Sequence, residues 1–157
     1  MAISDERIEA QCNSDGRIIY TIGYEGRSLE DFSNELMSNG IKRLVDVREI
    51  AQSRKPGFSS KRMSQDLPDK GIEYLHIKSL GSPKAMRDEL KQTGDFGKFA
   101  DAYGKHLEFQ AESLDALLRN AIEKPTALMC YERESTRCHR SIIASRLAGL
   151  GFAIVNL

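Results

Sequence analysis

Apolar residues change their spacing along this chain, and the changes mark out its elements. Ile18-Ile19-Tyr20-Thr21-Ile22 is β-branched and aromatic and stops at Gly23, which predicts a strand. Ser28 and Asp31 have the spacing of a capping box. Leu29, Phe32, Leu36 and Met37 then share one helical face, up to a closing Gly40. A short strand is predicted over 42–48, ending in Asp46-Val47-Arg48. The polar stretch 51–60 turns at Pro56-Gly57, and 59–69 suits a short helix. Ile72-Glu73-Tyr74-Leu75-His76-Ile77 predicts a third strand, and Leu80-Gly81-Ser82-Pro83 breaks the chain again.

From Lys84 to Lys124 the spacing is helical, in two or three pieces. Phe96, Phe99, Tyr103 and Leu107 form one stripe, and Leu114, Leu117, Leu118 and Ile122 form another. Thr126 to Cys130 predicts a fourth strand behind Pro125. A helix over 139–148 shows Ile142, Ile143 and Leu147 on one side and closes at Gly151, and a last strand covers 152–155. Residues 1–17 lack any such period and read as a polar leader, so 18–157 form the domain. Strands alternating with helices imply a single three-layer α/β domain, with a mainly parallel sheet and helices on both faces.

Composition narrows the function. Lys+Arg and Asp+Glu both total 23, a balance that argues against tight non-specific nucleic-acid binding. Three cysteines do not make a disulfide framework. The start, MAISDERIEAQCNSDGR, has neither a basic nor an apolar signal region, and no run approaches the ~20 apolar residues of a membrane helix. A cytoplasmic protein with free thiols and no membrane partner is the expectation. Cys12, in the leader, has no expected role.

Ligand sites in parallel sheets form beyond the carboxyl ends of the strands. Three such ends carry reactive or polar residues: Gly23-Tyr24, Asp46-Val47-Arg48 and Cys130-Tyr131-Glu132. The last leads through Arg137 into a helix opening Cys138-His139-Arg140. A thiol at a helix N-terminus beside cations is driven toward thiolate, and the same turn suits an anion held by an arginine fork. Cys138 is the expected nucleophile or anion-contacting thiol, with Cys130 as its partner and His139 as proton carrier. Arg140 with Arg48 is the expected anion clamp, and Glu132 and Asp46 are orienting carboxylates. A basic segment from Ser53 and Arg54 to Arg62 would make a flap over an anionic substrate, or a solvated loop. Cys130 also reads as a small buried hydrophobe, and Asp46 with Arg48 as a structural ion pair. A Cys130–Cys138 disulfide would act as a redox switch rather than a staple. His76 alternates with Leu75 and Ile77 and reads as a satisfied histidine rather than a ligand.

Together these pieces resemble the family filed as domain of unknown function 488: Thr21-Ile22-Gly23-Tyr24, Leu44-Val45-Asp46-Val47-Arg48 with Ser53, Tyr74-Leu75-His76 with Leu80-Gly81, and Cys130-Tyr131-Glu132 through Cys138-His139-Arg140. The resemblance implies an enzyme site around the Cys-His-Arg ending and brings no substrate with it. Val45-Asp46-Val47-Arg48-Glu49 and the C-terminal half are also similar to rhodanese domains. That likeness implies a persulfide-bearing cysteine at Cys130 and an anion-cradling loop after it. Here the loop is longer and lacks glycine, so its N–H groups do not easily wrap an anion.

The leading reading is an enzyme acting on a small anionic or nucleotide-like substrate, with no cofactor expected. A non-catalytic nucleotide or nucleic-acid binding module, rhodanese-like sulfur transfer and a metal-dependent hydrolase are the alternatives. The cysteine spacing lacks the paired motif of a zinc site, so no metal is expected.

Overall fold

The strands β1 (Ile18–Gly23), β2 (Arg43–Asp46), β3 (Glu73–His76), β4 (Thr126–Cys130) and β5 (Ala153–Asn156) lie in the order β3-β2-β4-β1-β5. Every neighbouring pair is parallel. This computed structural model describes residues 17–157; the leader up to residue 16 and Cys12 lie outside the described residues. Among those described are six α-helices: α1 (Leu29–Ser38), α2 (Ser60–Asp66), α3 (Lys84–Thr93), α4 (Phe96–Glu108), α5 (Ala111–Glu123) and α6 (His139–Ala148). None is long and apolar enough to cross a membrane.

Strand side chains alternate between the faces of the sheet, and that period of two builds two cores. Ile19, Val45, Val47, Leu128 and Cys130 face Phe99, Tyr103 and Leu107 of α4, Leu117 of α5, and Ile143 and Leu147 of α6. Ile22, Leu44, Ala127 and Met129 face Phe32 and Leu36 of α1, Met63 of α2, and Phe58. The central strand β4 is buried at all five positions, as expected where both faces are covered. The sheet is therefore wholly parallel, and the three layers match the sequence reading.

Several edges of that reading shift. Met37 and Ile122, assigned to apolar faces, are 43% and 50% exposed, because the buried stripes of their helices run through Phe32 and Leu36, and through Leu117 and Ala121. The last helix is capped at Gly149, and Gly151, at φ 101°, instead turns the chain into β5. Pro68–Lys70 form a 3₁₀ turn behind α2 rather than more α-helix. The capping of α1 is as read: the Ser28 hydroxyl accepts from the Asp31 N–H at 3.0 Å.

The topology positions the site. α1 leaves β1 toward one face, whereas α6 leaves the adjacent β4 toward the other. Neighbouring strands whose connections depart to opposite faces open a crevice at their carboxyl ends. That crevice lies beside Gly23 and Cys130, which are paired in register.

Candidate active site

Beyond their last residues β1 and β4 stay joined. The Tyr24 N–H donates to the Cys130 carbonyl at 3.3 Å, and the Glu25 N–H to the Tyr131 carbonyl at 2.8 Å. The 131–138 loop then crosses directly over Gly23, where any Cβ would collide with the Glu132 backbone. Glycine is needed at this position for space, not for φ. Across β4, the Val47 N–H donates to the Met129 carbonyl at 3.1 Å, which brings in the end of β2. The three strand ends expected to converge do so.

Cys130 is delivered by β4 and Cys138 by the cap of α6, and their sulfurs meet in a disulfide, the Cα atoms 7.7 Å apart. Composition argued for free thiols; the fold brings this pair together because the loop returns onto the end of its own strand. Cys138 takes the N-cap role, its sulfur accepting from the Arg140 N–H at 3.5 Å. Oxygen-bearing side chains usually fill that position, so the helix directs its unpaired N–H groups at sulfur instead.

His139 is buried, with Nε2 2.7 Å from the Val47 carbonyl. Burial holds its pKa down to about 4, so the ring is neutral near pH 7. A neutral ring next to a carbonyl donates from Nε2, which leaves Nδ1 as an acceptor, 3.6 Å from the Cys138 sulfur. His139 is thus arranged to take a hydrogen bond, or a proton, from Cys138.

Arg140 corrects the sequence reading. It was expected in an anion clamp; it is wholly buried, its guanidinium turned inward under the loop. Nη1 donates to the Cys130 sulfur at 2.8 Å and to the Glu132 carbonyl, and Nη2 donates to the Arg133 carbonyl at 3.0 Å. Among the described residues Nε has no partner. Burial lowers its pKa to about 10, opposed by the nearby Glu132 charge, and it stays protonated at neutral pH. Where the rhodanese likeness implies N–H groups around an anion, this loop aims two carbonyl oxygens at a cation. The Glu132 carboxylate lies beside the cysteine pair, 3.4 Å from the Cys130 sulfur.

Asp46 and Arg48 form a buried pair on the other face of the sheet. Nε and Nη2 of Arg48 donate to the two Asp46 oxygens at 2.8 and 2.6 Å. Nη1 donates to the Tyr24 hydroxyl at 3.0 Å, and the Tyr74 hydroxyl donates to Asp46. Burial opposes the charge on Arg48, yet Asp46 and Tyr24 raise its pKa above the ordinary arginine value. Tyr74 is also raised, by burial and then by the Asp46 charge.

A cavity of about 410 Å³ is lined by Cys130 and Cys138 and also by Tyr24, Arg48, Tyr131, Glu132, Arg137 and His139. Arg87 and Lys91, one turn apart on α3, complete its basic wall, with Glu49, Leu90 and Phe99 beside them. Arg48 is neutralised by Asp46, and Arg87 by Glu49 at 2.8 Å. Arg137 and Lys91 form no salt bridge among the described residues, although Lys91 lies near the Asp88 charge, and Arg48, Arg87, Lys91 and Arg137 outnumber the lining carboxylates Glu49 and Glu132. Arg87 and Lys91 escaped the sequence reading, although their spacing of four on a helix was a usable signal.

Other expected site residues fall elsewhere. Ser53 and Arg54 do not line the cavity. Their segment is pinned down rather than arched over the site: Phe58 is buried against Tyr24 at 4.6 Å between ring centroids, and Lys55 Nζ donates to the Tyr24 carbonyl at 3.1 Å. His76 has Nε2 2.7 Å from the Arg48 carbonyl, a satisfied histidine as read.

Fold and site together define a wholly parallel α/β domain with a paired-cysteine cleft at its topological switch point. The chain belongs to the family described as domain of unknown function DUF488, whose model matches residues 28–147. No curated protein and no solved structure matches it.

Proposed function

We propose that this protein is a thiol-dependent enzyme in which Cys130 is the reactive thiolate and the cavity above it takes a small anionic substrate. The observation that carries this reading is the wholly buried Arg140 guanidinium, 2.8 Å from the Cys130 sulfur and bonded otherwise to neutral carbonyls. A buried cation without a counter-charge is costly by several kcal/mol. The Glu132 charge lies nearby, but among the groups that Arg140 hydrogen-bonds only Cys130 can carry a negative charge, and ionising it supplies one in direct contact. Of the arginines read as substrate-binding, Arg137 keeps that role and Arg140 does not; Lys91 joins it, both lining the cavity without a salt bridge.

Iodoacetate and iodoacetamide test it together on reduced protein carrying Cys12→Ser and Cys138→Ser. Cys130 is expected to alkylate at a rate nearly constant from about pH 8.5 to about pH 6.5. The anionic reagent gains on the neutral one as salt is lowered. A rate falling about tenfold per pH unit below about pH 8.5 rejects the thiolate.

One observation favours a second reading. The Cys130 and Cys138 sulfurs and a Glu132 carboxylate oxygen lie within 4.8 Å of one another, a donor set that suits zinc. The adjacent Arg140 charge opposes a dication there. Elemental analysis of purified protein decides between them: stoichiometric zinc favours the metal site, and its absence from protein kept reduced favours the thiolate.

A further inference from the structure

Cys138 has the geometry of a second reactive thiol rather than a spectator. Its sulfur touches that of Cys130, it caps α6, and the acceptor Nδ1 of His139 lies 3.6 Å away. Both cysteines line one cavity, whose basic wall includes Arg137 and Lys91, neither in a salt bridge among the described residues. A cysteine pair that joins inside a ligand cavity is placed for exchange chemistry; a pair serving only as a staple needs no cavity.

From this juxtaposition we infer that the protein reduces small anionic disulfides by dithiol–disulfide exchange, an activity that rests on the thiolate reading of Cys130. The Cys130 thiolate attacks one sulfur of the substrate R–S–S–R. A Cys130–S–S–R bond forms and R–S⁻ leaves. The Cys138 thiol then attacks the Cys130 sulfur, passing its proton by way of His139 Nδ1 to the departing R–S, which leaves as R–SH. The protein is oxidised by two electrons to the Cys130–Cys138 disulfide, and the substrate is reduced to two thiols. A low-molecular-weight thiol or a dithiol protein returns the pair to its reduced form for the next turnover.

The anionic chromogenic disulfide 5,5′-dithiobis(2-nitrobenzoate) tests this on reduced protein carrying Cys12→Ser. Two equivalents of thionitrobenzoate are expected per chain, leaving a protein whose mass shows an internal disulfide and no adduct. Adding Cys138→Ser keeps an oxygen acceptor at the cap, so the helix start survives. That variant is expected to release one equivalent and to retain a stable mixed disulfide. The cationic disulfide cystamine is expected to react at least about tenfold more slowly at low salt.

Two retained adducts per chain, or no closure in the Cys138-containing protein although Cys130 alkylates as a thiolate, overturn the exchange while leaving the thiolate reading intact. Equal rates for the cationic and anionic disulfides overturn the substrate class. A Cys130 that alkylates only as an ordinary thiol overturns both proposals.

Discussion

The Arg140 guanidinium donates to the Cys130 sulfur from 2.8 Å, through a buried side chain that also ties down two carbonyls of the loop above it. One residue therefore sets both the charge of the thiol and the shape of its cover. Replacing it with methionine of similar length removes the cation and strands the Glu132 and Arg133 carbonyls. Each stranded group costs about 1–3 kcal/mol. Arg140→Met is expected to lose about 2–5 kcal/mol in denaturant unfolding. In the folded variant, alkylation of Cys130 near pH 7 slows at least about tenfold.

His139 makes stability depend on pH in a definite window. Its pKa is about 4 in the fold, against 6.5 for an ordinary histidine. Between those values the unfolded chain binds a proton that the folded chain does not, so stability falls as pH drops through the window. The loss totals on the order of 3 kcal/mol, complete below about pH 4 and absent above about pH 6.5. His139→Gln keeps a donor for the Val47 carbonyl and cannot titrate. Its unfolding midpoint, followed against pH, is expected to lose this slope.

Asp46 balances Arg48 in a site where neither meets water freely. Asp46→Asn leaves a buried guanidinium without its charge partner and is expected to cost about 3–5 kcal/mol. Tyr74→Phe removes one hydroxyl donor from the same carboxylate and costs about 1 kcal/mol. Equilibrium unfolding of the two variants checks both the order and the sizes. Equal small losses contradict the buried pair.

Gly23→Ala presses a methyl group into the Glu132 backbone, and no rotamer change relieves a clash with main chain. The 131–138 loop has to lift, which withdraws the Glu132 carbonyl from Arg140. A loss of about 1–3 kcal/mol is expected, with slower alkylation of Cys130. Thermal unfolding and thiol kinetics on the same sample measure both.

Much of this was legible in the residues. The strand at Ile18, the Ser28 cap and the buried run Thr126 to Cys130 follow from local spacing, and parallel connection rules then bring Gly23, Asp46 and Cys130 to the carboxyl end of the sheet. What spacing does not encode is the direction in which a side chain points once its helix is packed. Arg140 reads as a surface charge beside Cys138, but position 140 falls on the face of α6 that meets the sheet, together with Ile143, Ala144 and Leu147. The segment from Ser53 reads as a basic flap because its charges are visible in sequence. Its anchor, Phe58 stacked on Tyr24, depends on a residue more than thirty positions away. Arg87 and Lys91 share a helix face by their spacing of four, but that this face meets the cavity depends on where α3 packs, a tertiary fact.

The most direct measurement is the ultraviolet absorbance of the thiolate in reduced protein carrying Cys12→Ser and Cys138→Ser, titrated with acid from about pH 9 and corrected with a matched protein carrying Cys130→Ser. One thiolate per chain is expected at pH 7, persisting to about pH 6, because the buried Arg140 guanidinium donates directly to the Cys130 sulfur. A signal that vanishes around pH 8.5, as for a thiol in water, would contradict the pairing of Cys130 with Arg140 and with it the catalytic reading of the cleft.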